Sequence, residues 1–272
     1  MISCLMVALP AAKRLAGLKA SLADYCRQTC ADRELLILIN GGDPATARAI
    51  GDIVRGLGRA DVRLLELGGE LPLGALRNIA WAEARGEIVC QWDDDDRYHP
   101  ERLAVQHAAM AGLDAEATCL QFSLQLRQAE RRIFCLNWRS TADGVLAGSL
   151  MCRRSAEVSY PEAGQFARMG EDSDLVGQLK ARGGFRVIEE APHYYVYVTH
   201  DANTWSAAHH QMLTNALSLS RGLLLRREAE IRAGLAAYDF GLGELTVHGS
   251  NGPAFAWTPT LSPSSVTEVR SL

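Results

Sequence analysis

The stretch GEIVCQWDDDDRYHP, residues 86–100, carries the feature that decides the fold, a short apolar run followed directly by four aspartates. Two like charges about 4 Å apart repel by roughly 4 kcal/mol at an effective dielectric constant near 20. A half-buried acidic cluster therefore needs a cation among its carboxylates, and a metal ion is the first candidate.

The apolar run belongs to a regular alternation of strands and helices. Strands are predicted from short, almost wholly apolar runs at 2–9, 34–40, 61–67 and 87–92, and helices near 13–30, 44–57 and 74–85 separate them. Three successive strand-helix-strand units indicate an α/β fold with a parallel sheet and right-handed crossovers. Ligands of such sheets gather outside the carboxyl ends of the strands, which is where the four aspartates fall.

The pattern changes after the aspartates. A helix near 100–112 is followed by two closely spaced runs, ATCLQFSLQLR and RRIFCLNWR, which suit an antiparallel pair, so the sheet becomes mixed. A strand at 148–154, a helix at 171–184 and the strands FRVIEE and HYYVYVTH follow. Together these elements predict one α/β domain over 1–204.

The C-terminal part of the chain is expected to add a helical extension and a tail. The run from 205 to 236 is apolar on one side with arginines interleaved, which predicts one long helix inside an extension at 205–240. Its apolar side is expected to pack on the 1–204 domain, and docking on a partner or on a membrane surface is the alternative. Residues 241–272 are rich in Ser, Pro and Thr, so we expect a flexible tail, of which 252–272 is dispensable for folding.

Composition narrows the functional classes. The formal net charge of -4 and the pI near 6.0 give no overall attraction to nucleic acid, so no nucleic-acid partner is expected. The seven cysteines are scattered and odd in number, which is typical of reduced, structural thiols. The N-terminus lacks a basic leader region, and no window approaches the ~18 to 20 apolar residues of a membrane span. We therefore expect a cytoplasmic protein, with at most peripheral contact at the inner face of the membrane.

The aspartates are candidate metal ligands. Alternation in an extended segment would place Asp93 and Asp95 on one side and Asp94 and Asp96 on the other. Carboxylate oxygens are hard ligands that suit Mg²⁺ or Mn²⁺ held together with the phosphates of a substrate. Replacing Asp95 by Asn should then relieve repulsion and stabilise the metal-free protein. The alternative is that the later aspartates cap the next helix while the others are solvated.

The sequence around the aspartates is a more specific signal of function than the acidic run alone. Residues 73–103 read LGALRNIAWAEARGEIVCQWDDDDRYHPERL, with a small-residue turn, an Arg-Asn pair, an Ala-x-Gly close, an apolar strand, Asp-x-Asp-Asp and a Pro. This stretch resembles the one that family 2 glycosyltransferases of the GT-A fold carry through their DxD motif. The resemblance implies a metal-dependent, inverting transfer of a sugar from a nucleotide-sugar, with a UDP-sugar favoured, to a glycan, lipid-linked or other hydroxyl acceptor.

The resemblance also implies donor and metal contacts. Asp95 becomes the direct metal ligand, and Asp93 contacts the donor and contributes to the metal site, with Asp94 beside it at the donor. Arg77 would face the nucleotide or its diphosphate, and a surface salt bridge is the alternative. His200, which ends the aromatic strand HYYVYVTH, is similar to the third metal ligand of many GT-A enzymes, although a lone His is more often structural.

A second motif, MGEDSDLVGQLKARG, resembles the Glu-Asp motif of the family, in which a carboxylate at a helix N-terminus is the catalytic base. Asp172 takes this role by position, and Glu171 is the runner-up. The base removes the proton from the acceptor hydroxyl as it attacks the anomeric carbon, while the metal stabilises the departing nucleoside diphosphate. The alternative is an acidic first turn favoured by the helix dipole.

Two segments depart from the family pattern. The first strand continues as VALPAAKR where the family usually shows Pro-x-Tyr-Asn, and INGGD replaces an Asp-rich turn after the second strand. Both segments contact the nucleotide in the family, so the identity of the base stays open. Pro10, Asn40 and Asp43 are the candidate contacts.

Two other functions remain to be weighed. A sugar-nucleotide pyrophosphorylase also uses carboxylates and a metal on an α/β sheet, but its first strand usually leads into a Gly-rich phosphate loop, and ALPAAKR has no glycine. A non-catalytic nucleotide-sugar binding module would keep the fold without turnover. Metal-dependent hydrolysis of a nucleotide-sugar separates that module from an active transferase.

Overall fold

The computed structural model describes residues 1–112, 114–154, 157–189 and 191–259. The strands are β1 (Ile2–Ala8), β2 (Arg33–Asn40), β3 (Val62–Leu67), β4 (Ile88–Gln91), β5 (Arg97–Tyr98), β6 (Ala117–Leu120), β7 (Phe122–Arg127), β8 (Arg132–Asn137), β9 (Leu146–Arg153), β10 (Phe185–Ile188), β11 (Tyr195–Thr199), β12 (Leu245–Gly249) and β13 (Gly252–Trp257). The helices are α1 (Leu15–Cys26), α2 (Pro44–Gly56), α3 (Leu73–Glu83), α4 (Arg102–Gly112), α5 (Glu171–Arg182), α6 (Ala207–Leu217), α7 (Arg221–Arg226) and α8 (Glu228–Leu235).

The larger sheet has the order β10-β6-β9-β4-β1-β2-β3 among the described residues. β1 is parallel to β2 and β4, and β2 is parallel to β3. β9 is antiparallel to both β4 and β6. The predicted parallel strand-helix-strand units and the change to a mixed sheet are therefore confirmed.

Both faces of this sheet are buried, as is usual for parallel strands covered by helices. Along β1, Cys4 and Met6 pack into a core cluster that includes Leu18 of α1, whereas Leu5 packs into a second cluster that includes Leu175 of α5. The strand runs are apolar throughout because alternate residues serve opposite faces. This double core fixes the carboxyl ends of β1, β2 and β4 at one edge.

A second sheet has the order β13-β12-β8-β7-β11-β5 in the described part of the chain. The antiparallel pair of β7 and β8 was expected, but its separation from the first sheet was not. The run ATCLQFSLQLR divides into two strands at Gln121. The backbone N–H of Gln121 donates to the carbonyl of Ile188, and the carbonyl of Gln121 accepts from the backbone N–H of Trp138. The four aspartates consequently join the two sheets, because they follow β4 of the first and precede β5 of the second.

The expected long helix near 205–236 is corrected to three helices, α6, α7 and α8. The chain turns at Leu219, whose backbone N–H donates to the carbonyl of Cys135, and Ser220 then caps α7 by accepting from the backbone N–H of Leu223. Serine at such a position favours a new helix start over continuation. None of the helices in the described ranges is long and apolar enough to cross a membrane.

The flexible tail expected over 241–272 is corrected for its first part, where β12 and β13 pair antiparallel and β12 adds to β8. Trp257 is 5% exposed and packs in a core cluster with Leu245 and Val247. The polar and proline residues of this segment led to the prediction of a tail, and the alternating apolar side chains of these two strands were missed. Deletion of 252–272 would expose that cluster, so we now expect it to destabilise the protein, while 260–272 lie outside the described residues.

Candidate active site

A cleft of about 640 Å³ lies at the carboxyl ends of β1, β2 and β4. Its charged lining residues are Arg14, Glu70, Arg77, Asp93, Asp94, Asp95, Asp96, Arg168, Glu171 and Asp172. Seven carboxylates therefore face three guanidinium groups. This excess of negative charge favours a cation in the cleft, as the sequence predicts.

The backbone of the acidic loop is held rigidly. The Asp93 N–H donates to the hydroxyl of Tyr98 at 2.7 Å, and the Asp93 carbonyl accepts from Ser21 at 2.9 Å. Helix α1 approaches the loop so closely that a Cβ on Gly17 would lie 3.3 Å from the Cα of Asp95. The aspartates are thus presented by fixed backbone.

The aspartate side chains do not alternate as expected, because residues 94–96 bend instead of extending. Asp96 is buried and accepts from the hydroxyl of Tyr195 at 2.5 Å and from the Val198 N–H at 2.8 Å. Burial raises the pKa of Asp96 well above its ordinary value. Asp96 therefore ties the loop to β11.

Asp94 and Asp95 share one guanidinium. Nη2 of Arg14 lies 2.5 Å from Oδ1 of Asp94 and 2.9 Å from Oδ2 of Asp95. Burial, followed by the charge of Asp95, raises the pKa of Asp94 to about 7. Burial also opposes ionisation of Asp95, but the His200 hydrogen bond and the Arg14 charge outweigh it and lower the pKa of Asp95.

Nε2 of His200, the candidate third metal ligand, lies 3.1 Å from Oδ2 of Asp95. Asp93 is turned away toward Arg77, and among the described residues no three His, Cys, Asp or Glu side chains are grouped to hold a metal ion. Magnesium-type ions are often bound by one or two protein carboxylates together with substrate phosphates. Asp95 and His200 fit an ion that completes its coordination with a bound diphosphate. We call Arg14, Asp94, Asp95 and His200 the Asp95 side of the cleft.

The opposite wall is organised by Arg77. Nε of Arg77 donates to Glu171 at 2.8 Å, and Nη2 donates to Asp93 at 3.0 Å. The guanidinium is buried, so it is not the surface salt bridge considered as its alternative. Arg77 lines the cleft where donor contact was expected, and it also joins the acidic loop to the start of α5.

Asp172 faces the same cleft and forms no ion pair among the described residues. Its Oδ1 accepts from the backbone N–H of Ser173 at 2.8 Å. Burial, followed by the charge of Glu171, raises the pKa of Asp172 to about 7. Glu171 is 3% exposed and bound to Arg77, so Asp172 is the better placed proton acceptor of the two. We call Arg77, Asp93, Glu171 and Asp172 the Asp172 side of the cleft.

The candidate base contacts are less well placed. Asn40 lines the cleft, but its side-chain amide donates to the carbonyls of Leu67 and Gly69 and thereby fixes the loop after β3. Asp43 does not line the cleft; it caps α2 by accepting from the Thr46 N–H at 2.9 Å. Pro10 is buried and does not line the cleft, and its carbonyl accepts from the Asp43 N–H.

Sequence reasoning did not assign Arg14, Tyr195 or Asn203. Arg14 stands in VALPAAKR, the segment that departs from the family pattern, so the departure itself was the available signal. Tyr195 and Asn203 flank the predicted His200, and Nδ2 of Asn203 lies 3.4 Å from Oδ2 of Asp95. The spacing of the aromatic strand gave no indication of which residues face the aspartates.

A family model described as Glycosyl transferase family 2 matches residues 6–132. This part of the chain is similar to the family 2 glycosyltransferases. The matched part contains the end of β1, the acidic loop, Arg14 and Arg77. A search of curated proteins finds no significant match.

Solved glycosyltransferase structures share the fold. The crystal structure of S. aureus TarS 1-349 has a TM-score of 0.56 and 14% identity, over 87% of this chain and 69% of that one. TarS 1-349 in complex with UDP-GlcNAc has a TM-score of 0.55 and 14% identity, over 88% and 67%. The mannosyltransferase PcManGT from Pyrobaculum calidifontis, in complex with GDP-Man and Mn²⁺, has a TM-score of 0.55 and 16% identity, over 86% and 63%. At these identities the likeness shows the fold, and the expected GT-A architecture is confirmed.

Proposed function

We propose that this glycosyltransferase transfers a sugar with inversion from a nucleotide-sugar, with a UDP-sugar favoured, to an acceptor hydroxyl, and that it requires Mn²⁺ or Mg²⁺. The observation that carries the proposal is Arg77, which joins Asp93 and Glu171 at one cleft and leaves Asp172 beside them without an ion pair in the described part of the chain. This arrangement separates a fixed anionic wall from a carboxylate that can accept a proton.

The charge of the cleft supports a metal and a diphosphate acting together. A nucleotide-sugar brings two further negative charges to a cleft that already has more carboxylates than guanidinium groups. A divalent ion held by Asp95 and His200 would bind the diphosphate and stabilise its departure. The ligands named for TarS and PcManGT, UDP-GlcNAc and GDP-Man with Mn²⁺, make uracil and guanine the first bases to test.

The chain's own residues supply the remaining steps. Asp172 accepts the proton of the acceptor hydroxyl as its oxygen attacks the anomeric carbon. Glu171 cannot replace it while its carboxylate holds Arg77. Arg77 keeps Asp93 oriented toward the donor, and Tyr195 and Tyr98 keep the acidic loop in place.

A ligand screen tests the proposal. UDP- and GDP-sugars are added with and without Mn²⁺, and the melting temperature of the full chain is measured; a donor at about 100 times its dissociation constant should add roughly 2.7 kcal/mol. Release of nucleoside diphosphate from the stabilising donor must follow. Metal-dependent stabilisation without release would identify a binding module. Formation of a nucleotide-sugar from nucleoside triphosphate and sugar phosphate would identify a pyrophosphorylase.

The proposal includes a cytoplasmic location, with peripheral membrane contact as a further option for a lipid-linked acceptor. Cell fractionation tests this part. Recovery of the protein in the high-salt wash of membranes would indicate peripheral contact, and recovery in the soluble fraction would indicate that lipid is not required for its placement.

A further inference from the structure

The Asp95 side of the cleft contains a cation that belongs to the protein. Arg14 lies at the end of a short 3₁₀ helix, Ala12–Arg14, that leads into α1. Its Nη1 donates to the carbonyl of Ala202 at 2.9 Å, while Nη2 contacts both Asp94 and Asp95. The guanidinium is therefore held from three directions at the place where the sequence suggested a metal ion.

The crowding is centred on one oxygen. Oδ2 of Asp95 lies 2.9 Å from Nη2 of Arg14, 3.1 Å from Nε2 of His200 and 3.4 Å from Nδ2 of Asn203. A divalent ion that binds this oxygen must displace the guanidinium, because two cations cannot share it without strong repulsion. It must also displace the Nε2 proton of His200, because Nδ1 of the same ring accepts from the backbone N–H of Ala202 at 3.0 Å.

The surroundings provide both space and a new anionic partner for the displaced guanidinium. A second cavity of about 380 Å³ lies on the far side of Arg14, Asp95 and Ala202, which also line the main cleft. A bound diphosphate offers Arg14 a new anionic partner in the cleft, and guanidinium groups bind phosphate in a two-point geometry. Loss of the contact with Asp95 is then offset by a contact with the donor.

We propose that Arg14 is a resident cation that blocks metal binding to the empty protein and admits the ion only together with the donor. This inference rests on the proposed function and adds an order of events to it. Metal and nucleotide should strengthen each other's binding by the same factor, because coupling of binding free energies is reciprocal. Arg14 is a positioning residue here, since it acts through Asp95.

The test measures Mn²⁺ binding to the full chain by electron paramagnetic resonance of free Mn²⁺, first without nucleotide and then with saturating UDP or GDP. Arg14→Met should bind Mn²⁺ at least about tenfold more tightly than the parent without nucleotide, because the competing charge is gone. The gain in Mn²⁺ affinity on adding nucleotide should shrink by a similar factor. Arg14→Lys keeps a cation and should stay nearer the parent.

Two further variants guard the interpretation. Arg14→Met leaves buried Asp94 without its partner, so the double variant Arg14→Met/Asp94→Asn removes that unpaired charge and should still bind Mn²⁺ tightly. Arg55→Met breaks an exposed ion pair with Asp52 far from the cleft and should leave Mn²⁺ binding unchanged.

The outcomes separate this inference from the proposed function. Nucleotide-free Mn²⁺ affinity that is equal to or weaker than that of the parent, in both the single and the double variant, overturns the role of Arg14. If the parent shows Mn²⁺-dependent donor turnover in the same preparation, the proposed function survives that result. Tight Mn²⁺ binding by the Arg14 variants, with no donor turnover by the parent, supports the role of Arg14 and contradicts the transferase proposal.

Discussion

Each side of the cleft holds an arginine among carboxylates, but only one side leaves a cleft-facing carboxylate without an ion pair. On the Asp172 side, Arg77 binds Asp93 and Glu171, and Asp172 stays unpaired among the described residues. On the Asp95 side, a single guanidinium binds Asp94 and Asp95. Under the two proposals, the Asp172 side offers an unpaired carboxylate for proton transfer, whereas the Asp95 side must break an ion pair before it takes a metal. The position of the arginine, more than the number of acids, distinguishes the two sides.

The largest expected effect tests whether the unpaired carboxylate is the base. Asp172→Asn should lower sugar transfer by about 10² to 10⁴, because an amide cannot accept the proton of the attacking hydroxyl. Nucleotide and Mn²⁺ binding should be retained, since the change lies outside the Asp95 side. Initial rates and calorimetric binding of the same preparation measure both quantities.

Glu171→Gln is the matched control. It weakens the partner of buried Arg77, so the melting temperature should fall while a measurable rate remains. If Glu171→Gln abolishes transfer and Asp172→Asn stays within a few fold of the parent, the two roles are exchanged.

The second effect concerns pH. The pKa of Asp172 is raised to about 7, so the carboxyl is protonated and unable to act as a base below that pH. The rate should fall by about tenfold per pH unit below pH 7 and level off above it. The pKa of Asp94 is also raised to about 7. The acidic limb should therefore persist in Asp94→Asn and disappear from the residual activity of Asp172→Asn; the reverse result would assign the limb to Asp94.

Sequence patterns predicted the parts of the site that depend on local order. The acidic loop follows an apolar strand, so it could be placed at the carboxyl edge of a parallel sheet, whereas Asp172 was assigned through the resemblance of its segment to the Glu-Asp motif. Arg14 could not be placed there, because it meets Asp94 across 80 residues of sequence. A local pattern specifies which residues face a sheet edge, but not which side chains meet across it.

In the fold too, local patterns were predicted correctly and contacts between distant segments were not. The run ATCLQFSLQLR was predicted as one strand, and nothing in its periodicity specified that it divides into β6 and β7 in different sheets. The hairpin of β12 and β13 was missed because its segment was taken together with the run rich in Ser, Pro and Thr that follows it, while Val247 and Trp257 are buried in a cluster that includes the distant residues Leu124 and Ile231. Tertiary contacts decide such segments.

The third effect tests the Asp95 side directly. Asp95→Asn removes one anionic ligand and should weaken Mn²⁺-dependent donor binding by about 10- to 100-fold. Donor binding without metal should change little. Titration of the donor at limiting and at saturating Mn²⁺ measures the difference. Equal donor affinity of parent and variant at limiting Mn²⁺ would show that Asp95 is not a metal ligand. The Asp95 side would then not be a metal site.

The smallest effect is on stability, and it corrects the expectation that Asp95→Asn stabilises the metal-free protein. Contacts with His200 and Arg14 outweigh burial and lower the pKa of Asp95 below 3.8, so its charge stabilises the fold above that pH and Asn should cost about 1 kcal/mol at pH 8. The pKa of Asp94 is raised from 3.8 to about 7, so its charge opposes folding above pH 7 and Asn should add a similar amount there.

Melting temperatures of the two variants, measured without metal at pH 8 and pH 5, separate these opposite signs. Shifts of about 2–4 °C are expected at pH 8, downward for Asp95→Asn and upward for Asp94→Asn. At pH 5 the gain from Asp94→Asn should shrink, because Asp94 is already protonated in the folded protein, whereas the loss from Asp95→Asn should persist until the pH falls below about 3.8. Shifts of the same sign in both variants would mean that Arg14 stabilises the two aspartates equally. Arg14 would then not distinguish the two carboxylates, and the contrast between a stabilising charge on Asp95 and a destabilising charge on Asp94 would be lost.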